Sequence, residues 1–179
     1  MLEARKTGRL LEFDPETRKT RVLMRDIHFA NGVAVSQDGS FVVVAGTFDK
    51  KIFRHWLTGP KQGTNEVFVD TLPGTPDGVS LNPRGNFWVA IFLLDNAAAP
   101  RFIAPLPWVK GFAATFLTGP LLNIPAKIGA ILEVHQNGTV LRGFYDPSGK
   151  VAPSVTSVIE RDDKLYLGSF HDYIAVKEL

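Results

Sequence analysis

The stretches Asn31-Gly32-Val33-Ala34-Val35-Ser36-Gln37-Asp38-Gly39-Ser40-Phe41-Val42-Val43-Val44-Ala45 and Asp77-Gly78-Val79-Ser80-Leu81-Asn82-Pro83-Arg84-Gly85-Asn86-Phe87-Trp88-Val89-Ala90 open alike. Each starts on a small polar dipeptide that reads as a turn and runs on into β-branched and aromatic residues. They recur at a spacing of roughly 46 residues, about the period of a four-stranded propeller blade.

Working outward, turn residues divide the chain into meanders of that size. The first complete unit has strands opening at Asn31 and over 41–47, 51–57 and 66–70, separated by Gln37-Asp38-Gly39, Asp49-Lys50 and Gly59-Pro60. The second opens at Asp77, continues over 87–92, is interrupted from about 95 to 125, and resumes over 129–135 and 139–145. A third, over 155–160, 165–170 and 173–176, lacks a fourth strand. Upstream, 8–14 and 19–24 form a hairpin around Pro15-Glu16-Thr17, so that Met1 sits close to a blade already begun. The expected fold is all-β: one domain over 1–179, an incomplete propeller of about three blades. Within the 95–125 insertion, residues 108–117 read as a short amphipathic helix, preceded by Pro107 and stopped by Gly119-Pro120. Its aromatic face suits a cap over one mouth of the propeller, or contact with a membrane or partner.

Composition excludes several classes. With 45% hydrophobic and 21% charged residues among 179, the chain is neither disordered nor a membrane span by composition. A formal net charge of +2, from scattered Lys and Arg, offers no surface for nucleic acid. There is no cysteine, hence no disulfide framework and no thiolate nucleophile. No apolar run approaches the roughly 18 residues of a transmembrane helix. The serines lack the Gly-x-Ser-x-Gly setting of an esterase elbow, and no glycine-rich loop joins a strand to a helix as a phosphate cradle does.

A family resemblance is carried by Gly8-Arg9-Leu10-Leu11-Glu12-Phe13-Asp14-Pro15, His28-Phe29-Ala30-Asn31-Gly32-Val33-Ala34-Val35-Ser36, Gly74-Thr75-Pro76-Asp77-Gly78-Val79, Gly85-Asn86-Phe87-Trp88-Val89-Ala90 and Lys164-Leu165-Tyr166-Leu167-Gly168-Ser169-Phe170. Together they resemble the strictosidine synthase-like family, on its adipocyte plasma membrane-associated and hemomucin branch. The resemblance implies a six-bladed β-propeller of which this chain is about the C-terminal half. It also implies a parent anchored through an N-terminal segment, with its propeller lumenal or at the cell surface.

Asn31 and Asp77 each open an inner strand, so both side chains are expected at the propeller axis. An amide oxygen and a carboxylate are hard donors suited to Ca²⁺, which takes six to eight oxygens, so the two form at most half of a site. The related gluconolactonase and paraoxonase propellers use an Asn-Gly and a Pro-Asp-Gly in this way, with a Glu and another Asn from blades this chain lacks. The opposing reading is that both dipeptides are simply turns. Hydrolase members would activate water with a base, and His28 and His171 are the candidates for the channel mouth, whereas His55 and His135 fall in middle strands. The implied function is a hydrolase of the arylesterase or lactonase type acting on a small ester or lactone, with this half inactive by itself; the alternative is a membrane-anchored surface binding or adhesion protein. Strictosidine synthesis is disfavoured, because Thr156 stands where the resemblance places the family's glutamate, and Ser154 where it places a histidine. Asn137-Gly138-Thr139, at a hairpin tip, is an N-glycosylation sequon.

Overall fold

The computed structural model describes residues 5–94, 129–169 and 174–179. Among these the chain is all-β, with thirteen strands. A hairpin of β1 (Gly8–Asp14) and β2 (Lys19–Ile27) is followed by a four-stranded sheet of β3 (Ala30–Val35), β4 (Phe41–Gly46), β5 (Lys51–Trp56) and β6 (Asn65–Val69). A second four-stranded sheet holds β7 (Gly74–Leu81), β8 (Phe87–Leu94), β9 (Gly129–Val134) and β10 (Val140–Asp146). The last has three strands, β11 (Val155–Arg161), β12 (Lys164–Ser169) and β13 (Ala175–Glu178). Each sheet is an antiparallel meander in chain order, and the first strands β3, β7 and β11 lie side by side. This is a partial propeller of two full blades, a three-stranded blade and a hairpin that forms a separate sheet. The expected helix at 108–117 lies outside the described residues.

Burial follows from the radial stacking. β4 and β9 are buried at every position because a blade covers each face, which is why Phe41-Val42-Val43-Val44-Ala45 reads as an unbroken apolar run. β12 alternates between exposed and buried, because only one of its faces meets another blade. Between the four-stranded sheets lies the largest core cluster, with Phe41, Phe68 and Phe87 in mutual ring contact. A second cluster around Trp88, Val158 and Leu165 joins the second and third blades, and a third joins the hairpin to the first through Leu10, Met24 and Ile27.

The dipeptides read as turns are not turns. Asn31-Gly32 lies within β3 and Asp77-Gly78 within β7, and the pairing register slips at both, as at the equivalent Thr156 of β11. These are β-bulges. Neither Gly32 nor Gly78 has a positive φ. The glycines answer to close approach: a Cβ on Gly32 would stand 2.4 Å from the Asp77 carbonyl oxygen, and one on Gly78 2.5 Å from the Thr156 carbonyl oxygen.

A buried polar network ties the second and third blades together at the other end of these strands. Glu133, on β9, accepts hydrogen bonds from Asn82 (2.7 Å), Asn86 (3.0 Å), Arg84 (3.2 Å) and Arg142 (2.6 Å). Arg84 also grips Glu160 of β11 with two guanidinium nitrogens, at 2.6 and 2.7 Å, and the Trp88 indole N–H reaches the same carboxylate at 2.6 Å. Burial alone would push the Glu133 carboxyl up, but bonds from Asn86, Arg142, Asn82 and Arg84 outweigh it and hold the pKa down to about 2. In the first blade, Arg54 pairs with Glu66, lies 4.3 Å over the Trp56 ring and donates to the Gln136 carbonyl of the second blade at 3.3 Å.

Two outcomes test this account. Gly78→Ala costs about 3 kcal/mol in denaturant unfolding, because an added methyl meets backbone rather than a flexible side chain. Glu133→Gln costs about 1–2 kcal/mol at pH 7, because Arg142, Asn82 and Asn86 lose the charged acceptor they share while Arg84 keeps its grip on Glu160. Because the native pKa is depressed, that stabilisation is present above the unfolded carboxyl's pKa, and the gap to wild type closes as pH falls from about 5 toward 2.

Candidate functional site

Antiparallel pairing fixes which end of the propeller carries which residues. Ala30 pairs with Gly46, Gly74 with Leu94 and Val155 with Ser169, so the polar starts of β3, β7 and β11 share one end with the β4–β5 turn and with the segments leaving β8 and β12. The ion network of Glu133, Arg84 and Glu160 lies at the opposite end. β8 ends and β9 begins at the end that carries Asn31 and Asp77.

The structure brings Asn31 and Asp77 together. Both are half-buried, and the Asn31 side chain hydrogen-bonds the Asp77 carboxylate while its Nδ2 also lies 3.4 Å from Thr47 Oγ1. Burial pushes the Asp77 carboxyl above the ordinary aspartate range, against the Asn31 hydrogen bond that pulls it down. No cation pairs with Asp77 among the described residues, and no cluster of three or more His, Cys, Asp or Glu side chains is found there that could hold a metal ion. Thr156, at the equivalent bulge of β11, donates its hydroxyl to the Gly168 carbonyl at 3.2 Å.

His28 stands at the same end, just before β3. Its backbone N–H donates to Asp49 Oδ2 at 2.8 Å, and Asp49 pairs with Lys6 at 2.8 Å. The His28 ring meets Phe48 edge-on at 5.2 Å, and its buried Nε2 has no hydrogen-bond partner among the described residues. Phe29, which follows, is held at φ 61° by amides of Thr47 and Phe48 donating to the carbonyls of Phe29 and His28. That conformation is uncommon for a bulky residue. His171 lies outside the described residues. His55 is buried and pairs through Nδ1 with Asn65 Oδ1 at 2.6 Å, and His135 Nδ1 accepts the Asn137 amide, so both have structural work. Asn137 is exposed at the tip between β9 and β10, with its Oδ1 accepting the Thr139 amide.

The contributions of Asp49, Lys6 and Phe48 were not legible in the sequence, because Asp49-Lys50 reads only as turn punctuation. Glu133 did carry a signal: a carboxylate inside the apolar run Ile131-Leu132-Glu133-Val134 must be paired.

Adjacent four-stranded meanders, with the polar starts of their first strands gathered at one end, define a partial propeller. The model of the strictosidine synthase family matches residues 1–60. The adipocyte plasma membrane-associated protein of Salmo salar is 35% identical over 178 residues, covering 95% of this chain and 42% of the relative. The protein strictosidine synthase-like 10 of Arabidopsis thaliana is 36% identical over 174 residues, covering 94% and 46%. The similarity to these relatives runs over nearly the whole chain, which spans under half of their length. Among solved structures, a luciferin-regenerating enzyme superposes with a TM-score of 0.61 at 19% identity, over 92% of this chain and 44% of its own. Regucalcin of Agrobacterium tumefaciens, described as a calcium-binding protein, gives 0.58 at 16% identity, over 94% and 46%. A putative gluconolactonase gives 0.60 at 14% identity, over 96% and 46%. At these identities the likeness is one of fold. No helix among the described residues is long and apolar enough to cross a membrane.

The raised pKa of Asp77 makes its charge a cost to folding at neutral pH. A native pKa above the unfolded one means that stability is highest below the unfolded carboxyl's pKa and declines as pH rises through the native value. Asp77→Asn is therefore expected to raise the melting temperature by a few degrees at pH 7, with the difference vanishing below about pH 4. Thermal scans across that range check it.

Proposed function

We propose that the Asn31–Asp77 end of this propeller belongs to the axial site of an ester or lactone hydrolase in the complete ring, with calcium as its ion. The observation that carries this reading is Asp77, a half-buried carboxylate met by a neutral amide where a hard cation would offset the cost of its burial. The donor set fits part of a calcium site: Asn31 offers an amide oxygen and Asp77 carboxylate oxygens on adjacent inner strands, and further donors must come from other blades. Calcium bound there would polarise a substrate carbonyl and stabilise the developing oxyanion. In this reading Asp77 and Asn31 would supply oxygen atoms to the ion. His28 Nε2, buried at the same end without a partner among the described residues, is the base proposed to take a proton from water, and Asp49 and Phe48 hold its backbone and ring in place. Thr156 offers a neutral hydroxyl where amine–aldehyde condensation would need a general base. The names of the plasma membrane-associated relatives support a cell-surface or endomembrane setting for the parent protein.

The test is a complete ring made by joining the portion of the salmon relative that precedes the matched region to this chain. Phenyl acetate and a small lactone should be hydrolysed in the presence of calcium and not after chelation. Asp77→Asn should lower kcat/KM by at least a hundredfold, and His28→Gln should lower kcat more than it raises KM. A folded chimera that hydrolyses neither substrate at any calcium concentration overturns the reading and leaves the surface-binding one.

A further inference from the structure

We propose that Phe29 and Phe48 form an aromatic wall of the Asn31–Asp77 site, selecting substrates that carry an aryl group beyond the reacting carbonyl over polyhydroxylated ones; this rests on the hydrolase reading of that site. The two phenyl rings come from different connections, Phe29 from the one between β2 and β3 and Phe48 from the one between β4 and β5. Their centroids lie 5.3 Å apart at a tilt of 40°. Phe41, Phe68 and Phe87 are buried in the core, whereas these two are 40% and 42% exposed at the end that carries the site. They belong to connections between strands rather than to the sheet faces through which blades stack.

Phe29 is held where a bulky side chain does not ordinarily go. Its φ of 61° lies in the left-handed region, which glycine enters without steric cost and phenylalanine does not. Two hydrogen bonds impose that conformation, the amides of Thr47 and Phe48 donating to the carbonyls of Phe29 and His28, each at 3.1 Å. A turn alone would be better served by glycine, so the phenyl ring is what the strained backbone presents. The same connection fastens the wall to the site. Thr47 Oγ1 lies 3.4 Å from Asn31 Nδ2, and Phe48 meets the His28 ring edge-on at 5.2 Å, so an oxygen donor, a candidate base and two phenyl faces are contiguous. An aryl group seated on the wall packs at the separation of about 4.5–7 Å usual for aromatic pairs and removes apolar surface from water. A sugar lactone brings hydroxyls that phenyl rings leave without partners, and covering them there is a cost. The wall therefore separates aryl esters and aryl-substituted lactones from sugar lactones, and the reacting carbonyl is left to Asn31, Asp77 and His28.

The complete propeller made with the salmon relative should hydrolyse phenyl acetate in preference to δ-gluconolactone. Phe29→Gly should cut that preference roughly tenfold, chiefly through a higher KM for the ester. Because glycine relieves the strain at φ 61°, the same variant of the 179-residue chain should melt no lower than the parent, an outcome that a residue merely packing the turn would not give. Phe48→Tyr, which keeps the ring face, should keep the preference, and Tyr145→Ala, which removes an exposed ring on β10, should not alter it. N-(4-fluorophenyl)acetamide, an amide analogue of the ester, separates this proposal from hydrolysis itself. Its fluorine resonance should shift and broaden when millimolar amide meets the 179-residue chain, and the effect should be lost in Phe29→Gly. That result with a propeller that hydrolyses nothing would end the hydrolase reading and keep the aryl subsite. No fluorine response, a response unchanged in Phe29→Gly, or δ-gluconolactone hydrolysed as well as phenyl acetate overturns the proposal. So does a Phe29→Gly variant that melts lower with its substrate preference intact.

Discussion

The close approach of β3, β7 and β11 is the constraint on which the rest of the structure depends. At the axis each inner strand runs against the backbone of the next, and at Gly32 and Gly78 there is no room for a side chain. The bulges at these positions swing Asn31 and Asp77 together. The contact that sets the spacing of the blades therefore also assembles the candidate site, and the polar residue beside each glycine is a consequence of the same local geometry.

Stability and chemistry are placed at opposite ends of the strands. At one end Glu133 and Glu160 are buried, but Arg84, Arg142 and the Trp88 indole meet them, so the charges lock two blades together. At the other end Asp77 is half-buried beside an amide and carries the cost of its charge. A carboxylate left short of compensation in an otherwise well-paired fold is where a ligand has most to contribute.

The strands were legible because each blade's second strand is sandwiched and reads as an apolar run, while turn residues such as Gln37-Asp38-Gly39 punctuate the meanders. The hairpin of β1 and β2, upstream of the three units, was equally plain, and it forms a sheet of its own. Asn31 and Asp77 were legible as a pair through their repeat. The reason for their glycines was not, since Asn-Gly and Asp-Gly look the same in sequence whether the backbone turns or a neighbouring strand crowds it. His28 could be named as a candidate, but the buried Nε2 and the Asp49–Lys6 pair beside it depend on residues brought together from three separate segments.

By itself the sequence determined the β-meander, its period, the family resemblance and the two polar strand starts, because these are encoded in local alternation, turn chemistry and recurrence. Only the tertiary structure decided that the glycines serve close packing, that Asn31 and Asp77 share a hydrogen bond, and that Glu133 and Glu160 are paired by one arginine. Those properties belong to contacts between blades, and a contact between blades has no signature within the stretch of chain that forms either one.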